Sequence, residues 1–278
     1  MSSIHEAVLA QYEKNTKQSQ PSNKVGQEER EKKYFLTLLP NGVKTGTRRI
    51  RILPTLDGSS PFKEAYFHVL KVGTKWMKIY DPKQEGKRSP LNEVYEALMA
   101  TGDPKDKEMA RDYRAQKFYI VKVIDRDREQ DGPKFWRFKH SVKGDGPMDK
   151  IFPIFHNKGD ITDVKTGRDL VLTLTLTKSG KGQDYTNVSS VFPDDSTPLH
   201  TDSAKSNEWL NDPFVWSDVY SKKGEDYLDL VAKGETPRWD STTNKWASNS
   251  SSEETLVAPK TQVADPQVSA ESDDDLPF

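Results

Sequence analysis

Thr47-Arg48-Arg49-Ile50-Arg51-Ile52-Leu53 alternates basic and apolar residues from Arg49 onward and stops at Pro54. Successive side chains of an extended chain point to opposite faces. The stretch therefore predicts a β-strand with one buried face and one face carrying Arg49 and Arg51. Upstream, Lys33 to Leu39 is rich in aromatic and aliphatic residues and ends at the turn signal Pro40-Asn41-Gly42. Downstream, strands are predicted over 66–72, 74–80, 117–124, 134–138, 169–177 and 184–191, with Gly73 turning the first pair.

One helical insertion, 89–116, interrupts this pattern. Ser89 can cap, Pro90 suits a first turn, and Leu91, Val94, Tyr95, Leu98 and Met99 form an apolar stripe before Gly102. Asp103-Pro104 restarts a second helix through Arg114. Later, 208–220 and 225–233 read as short helices, and 238–246 as a hairpin or closing loop. Many short strands with a helical insertion predict a β-rich α+β chain with a barrel core.

Composition sets the organisation around that core. The chain has 278 residues, 33% hydrophobic and 31% charged, with a mean hydropathy of −0.85, so part of it is expected not to pack. There are no cysteines, which excludes disulfides, thiol catalysis and Cys-containing metal sites. No apolar run approaches the roughly 20 residues needed to span a bilayer, so the chain is expected to be soluble and cytoplasmic. Net charge is −1 overall, but 28–192 carries 32 Lys/Arg against 23 Asp/Glu, whereas 248–278 carries seven acidic residues and Lys260 alone. The organisation expected is an N-terminal arm (1–27), a core (28–200), an extension packing on it (201–247) and a disordered acidic tail (248–278). A basic body with an acidic end suits a polyanion partner; an ordinary mixed surface is the plainer alternative.

Aromatic residues are interleaved with basic ones throughout the core: Lys33-Tyr34-Phe35, Lys75-Trp76-Met77-Lys78-Ile79-Tyr80, Lys117-Phe118-Tyr119 and Lys134-Phe135-Trp136-Arg137-Phe138-Lys139. Cations track phosphates and rings stack on unpaired bases whatever their sequence, each stack contributing roughly 1–3 kcal/mol. The candidate contacts are Tyr34, Arg49, Arg51, Lys75, Trp76, Lys78, Tyr80, Lys117, Tyr119, Lys134, Trp136, Arg137 and Lys139. Lys181 and Tyr185 join them from the hairpin tip 178–185, which lacks the P-loop spacing. Strand periodicity also sends about half of such rings inward. Trp136 cannot share a face with both Phe neighbours, so either Trp136 or the Phe pair is expected outward, with Arg137 opposite Trp136. Arg49 and Arg51 could instead mark a solvated strand edge.

Catalytic patterns are missing. No pair of the five His has His-Glu-x-x-His spacing, Gly-x-Ser-x-Gly does not occur, and Asp125-Arg126-Asp127-Arg128 reads as a solvated turn. No cofactor or metal is expected, and the chain does not read as an enzyme. Its end is specific in another way. Asp273-Asp274-Asp275-Leu276-Pro277-Phe278 offers negative charge, an aromatic plug and a terminal carboxylate to a basic-rimmed apolar pocket on a partner.

The core resembles the T-even phage helix-destabilising, single-stranded DNA-binding proteins. The resemblance runs through Arg51-Ile52-Leu53-Pro54 with Pro61-Phe62, His68 with Lys75-Trp76, Ser89-Pro90, Lys134 to Phe138, and Ser179-Gly180 to Tyr185. It implies an OB-fold with a positive, aromatic-lined cleft, and Trp136, Arg137 and Tyr185 as DNA contacts. That family holds zinc through one His and three Cys. Here His68 stands at the His position, but Ser89 and Asn92 occupy the Cys-x-x-Cys positions, so no zinc is expected and the apolar helix from Leu91 to Met99 is expected to replace it as the staple. The terminal six residues are similar to the tip of bacterial single-stranded DNA-binding proteins, which implies recruitment of replication and recombination proteins such as a polymerase, helicase loader or recombinase. Lys14 to Lys17 is a diluted form of the family's N-terminal self-association motif.

The expected function is sequence-independent single-stranded DNA binding in phage replication, recombination and repair. The alternatives are a strand-annealing mediator and a replisome adaptor without DNA binding of its own.

Overall fold

The computed structural model describes residues 27–179, 184–220 and 222–248. Its organising strand is β4 (Ala115–Asp125), where Phe118, Ile120, Val121, Val123 and Ile124 are all buried, so both faces are covered. One edge of β4 pairs with β5 (Lys134–Lys139), from Phe118 opposite Lys139 to Val123 opposite Lys134. The other edge takes β2 (Lys63–Val72) along 115–120 and then β1 (Thr45–Ile52) along 123–125. β2 turns through Gly73, at φ 59, into β3 (Lys75–Tyr80). β1 pairs with β6 (Arg168–Lys178), which pairs with β7 (Asp184–Ser196). The product is a seven-stranded antiparallel sheet in the order β3-β2-β4-β1-β6-β7, with β5 on β4. The chain is therefore α+β. Among the described residues no strand pairing closes this path into a barrel.

Six helices complete the described chain: α1 (Gln27–Tyr34), α2 (Pro90–Ala100), α3 (Pro104–Tyr113), α4 (Pro147–Lys158), α5 (Ser203–Leu210) and α6 (Glu225–Ala232). Asp103 caps α3, its carboxylate accepting from Lys105 N at 2.7 Å. Ser89 occupies the corresponding position of α2 but makes no side-chain cap bond.

Three segments depart from expectation. Lys33 and Tyr34 end a helix instead of opening a strand, because the polar run from Gln27 to Lys33 favours helix; only Phe35 makes an isolated bridge, to Phe135. The helix expected over 208–220 sits earlier, capped by Asp202 and ended before Pro213, with a 3₁₀ turn at 216–218. α4 was not expected at all: Pro153 lies inside it, yet it buries Ile151 and Ile154.

Two cores meet across β4 and β5. On one side Ile50, Ile52, Phe62, Val121, Val123, Trp136, Phe138, Ile151 and Leu172 pack together. On the other, Phe67, Phe118, Ile120 and Phe135 lie beneath Phe35, Val219 and Tyr220. A third cluster joins Leu70, Val72, Ile79 and Leu91 to Tyr227, Leu228 and Val231 of α6. β8 (Pro237–Asp240) and β9 (Lys245–Ser248) form a hairpin whose Trp246 packs edge-on to Tyr227.

Candidate nucleic-acid interface

Cross-strand partners share a face, so the registers define what each side of the sheet presents. On the face of the second core, Lys71 lies beside Trp76, Val69 beside Lys78 and Phe67 beside Tyr80. Phe118 lies between Ala65 and Lys139, and Ile120 between Lys63 and Arg137. The apolar members form the middle, roofed by α1 and 214–220, and the cations are left around the rim. Four of the residues singled out from sequence, Trp76, Lys78, Arg137 and Lys139, are brought to this one face, with Tyr80 half-buried among them.

The rim is crowded with like charge. Lys78 is exposed, yet its amine is pushed down to about 8, first by desolvation and then by the Arg137 charge, with Glu31 opposing. Lys139 is likewise exposed, and is lowered by desolvation and by Arg114. Arg137 is half-buried: it donates to the Tyr220 hydroxyl, pairs with Glu31 at 3.1 Å and lies 4.9 Å over the Phe35 ring. Trp76 exposes 39% of its surface. Tyr80 donates to Glu85 at 2.9 Å, and its phenol is pushed up to about 12, mainly by burial.

The same face continues into a cleft of about 420 Å³ between 53–57 and 209–216. Its walls include Leu53, Ile120, Phe135, Trp209, Phe214 and Trp216, and Lys63 and Lys122 also line it. Lys122 is tied to Asp212 at 2.8 Å.

Two expected contacts are corrected. Arg51 is fully buried: it bonds Asp169 at 3.1 Å, the Asp163 carbonyl at 3.0 Å and the Thr197 carbonyl at 2.8 Å. Burial lowers its pKa against the pull of Asp169. Gly167 makes the approach possible, since a Cβ there would lie 2.5 Å from the guanidinium. At Arg51 the face expected to line a groove is thus an interior clamp between β1, β6 and their flanks, while Arg49 on the same face is exposed. Trp136 is 1% exposed, 4.5 Å from Phe138 in the first core, while Phe135 faces the second. The expectation that Trp136 or a Phe pair points outward fails because β5 is covered on both faces and the two Phe never shared one. Arg137 does lie opposite Trp136.

The remaining candidates are dispersed. Arg49 pairs with Asp194 at 2.8 Å. Tyr34 stacks on Phe214 at 3.8 Å. Lys75 is exposed on the opposite face of β3 from Trp76. Lys117 pairs with Glu64 and lies over Tyr119, itself packed on Phe138. Lys134 donates to the Lys33 carbonyl at 2.7 Å. Tyr185 is exposed near the start of β7, at the far end of the strand order from β3. Lys181, the N-terminal arm to Gly26, and Asp273 to Phe278 lie outside the described residues. Lys71 and Arg114 belong to the rim and were missed. Lys71 was findable from the Val72-Gly73-Thr74 turn, which sets it opposite Trp76; Arg114 carried no local signal.

The chain matches the family model described as gp32 DNA binding protein like over residues 44–221, more than half its length. No curated protein matches it. No described helix is long and apolar enough to cross a membrane.

Proposed function

The chain belongs to the gp32-like family of DNA-binding proteins, and on that premise we propose that it binds single-stranded DNA without sequence preference along the rim of the β3-β2-β4-β5 face. The observation that carries this reading is the register that sets Trp76, Lys78, Arg137 and Lys139 on one face, with Lys78 near the charge of Arg137 and Lys139 near that of Arg114. Phosphates relieve the repulsion between such neighbours, and a ring held by a strand is a stacking platform already in position. Lys71 extends the phosphate track, and the apolar cleft beyond Lys63 takes a splayed base.

In the same reading an OB-like cleft underlies the rim, and the acidic tail from 248 onward competes for it. DNA releases the tail, so that Asp273 to Phe278 recruits replication and recombination proteins, and the N-terminal arm supports self-association on DNA. The roles served are replication, recombination and repair in a phage-infected cell. Titration with oligo-dT at two salt concentrations tests the premise. Tryptophan fluorescence should be quenched, and log K should fall with log salt with a slope of about −0.7 per phosphate neutralised. Absence of quenching would favour an adaptor that binds no DNA itself, and annealing without duplex melting would favour a recombination mediator.

A further inference from the structure

His68 on β2, Asp81 after β3, and Ser89 and Asn92 at the start of α2 are all buried and converge on one point. The Asn92 amide donates to Asp81 Oδ2 at 2.8 Å and to Ser89 Oγ at 3.1 Å. The other Asp81 oxygen, Oδ1, accepts from the Lys83 backbone at 3.0 Å. His68 Nδ1 lies 2.6 Å from the Tyr113 carbonyl, which only accepts, so that nitrogen carries the hydrogen. His68 Nε2 faces Asp81 Oδ1 at 3.5 Å, too long for a good hydrogen bond, and has no other partner. Burial would push the Asp81 carboxyl up, but its contacts with His68, Ser89, Lys83 and Asn92 outweigh this and hold it at about 2.

The resemblance noted above implies zinc at this place, and the donor set does not fit it. A structural zinc site uses four ligands drawn from thiolate and imidazole. Here one imidazole and one carboxylate are accompanied by a hydroxyl and an amide, and the amide nitrogen, a donor, is spent on the carboxylate. Among the described residues no cluster of three His, Cys, Asp or Glu is positioned to hold a metal.

We propose that His68, Asp81, Ser89 and Asn92 form a metal-free polar cross-link that fastens the helical insertion to β2 and β3 and sets the position of the Trp76–Lys78–Tyr80 row. It brings together four elements, three of which (β2, β3 and α2) a metal at these positions would join. β2 and β3 are joined through His68 and Asp81, α2 through Ser89 and Asn92, and the end of α3 through the Tyr113 carbonyl. The apolar side of α2, expected to act as the staple itself, plays a smaller part than that: Leu91 is buried against α6, but Met99 is 40% exposed. Asn92, Asp81 and Ser89 satisfy one another and His68 Nδ1 is satisfied by the Tyr113 carbonyl, while His68 Nε2 is buried without a hydrogen-bond partner, so losing Asn92 or Asp81 leaves further buried groups unmatched.

The test uses the full chain. Purified without added metal, it should carry far less than one zinc per chain by elemental analysis, and chelator should leave its melting midpoint unchanged. Asn92→Ala and Asp81→Asn should each lower that midpoint by roughly 4–10 °C, with or without chelator. Asp81→Cys/Ser89→Cys/Asn92→Cys, refolded with zinc, should take up one ion per chain and melt lower when the ion is removed, because the four positions share one small space. Stoichiometric zinc in the natural chain, a chelator-sensitive midpoint, or an unchanged midpoint in Asn92→Ala and Asp81→Asn would each overturn the proposal. The positioning claim rests on the DNA-binding reading: Asn92→Ala should weaken oligo-dT binding several-fold with the salt slope unchanged, since no phosphate contact is removed, and unchanged affinity would refute it. The metal and melting measurements involve no DNA, so their failure is distinguishable from failure of that reading.

Discussion

Raising the pH from 7 to 9 should weaken DNA binding about tenfold through Lys78 alone. Its amine sits at about 8 in the free protein, held there by desolvation and by Arg137. A phosphate laid against it restores the ordinary lysine preference for charge, near 10.4, so binding takes up a proton wherever the free amine has lost one. With a free value of about 8, roughly nine-tenths of the amines are charged at pH 7 and about one-tenth at pH 9. The association constant falls in proportion, about 1.4 kcal/mol.

Fold stability should move the opposite way. The folded value lies below the unfolded one, so the contribution of Lys78 is fully favourable only above about 10.4 and is lost as pH falls through about 8. The assay is tryptophan quenching by oligo-dT at pH 7, 8 and 9 at constant ionic strength, in a Lys139→Arg background that removes the second depressed amine. Lys78→Arg should keep the pH 7 affinity and flatten the profile, because a guanidinium does not titrate there. Lys78→Met should flatten it at lower affinity. An undiminished pH dependence in both variants, or none in the parent, would show that Lys78 does not meet phosphate.

Three further outcomes are expected. Arg51→Met leaves Asp169 buried with half its partners gone and should cost about 3–5 kcal/mol of stability by denaturant melts, without altering the salt slope of DNA binding. Trp136→Ala should cost about 3–5 kcal/mol of stability, whereas Trp76→Ala should cost clearly less stability and about 1–3 kcal/mol of oligo-dT affinity; the reverse pattern would invalidate the assignment of faces. Removing 248–278 should tighten DNA binding at low salt and make it insensitive to added tail peptide; equal affinity with and without the tail would count against competition.

Much of the strand pattern could be read from alternation and turn chemistry. β1, the β2–β3 hairpin, β4, β6 and β7 fall close to their expected positions because Gly73, Pro54 and the apolar runs act locally. α4 was hidden because Pro153 and the glycines before Pro147 look like breakers, and only packing against the first core makes that helix worthwhile. The site was legible in composition but not in orientation. Alternation shows that rings and cations mix; it cannot show that residues 214–220 and Phe35 roof one face of β5 while α4 helps cover the other. That is why Trp76 and Trp136, similar in sequence context, end up at 39% and 1% exposure. Arg51 misled for a related reason: a charge on a strand reads as exposed unless its carboxylate, here 118 positions away, is known.

The double roofing of β5 has a mechanical corollary. A strand packed on both faces resists displacement more than one packed on a single face. If Arg137 and Lys139 take phosphates as proposed, they do so from a strand held on both faces, and most adjustment falls to the polynucleotide or to the neighbouring loops.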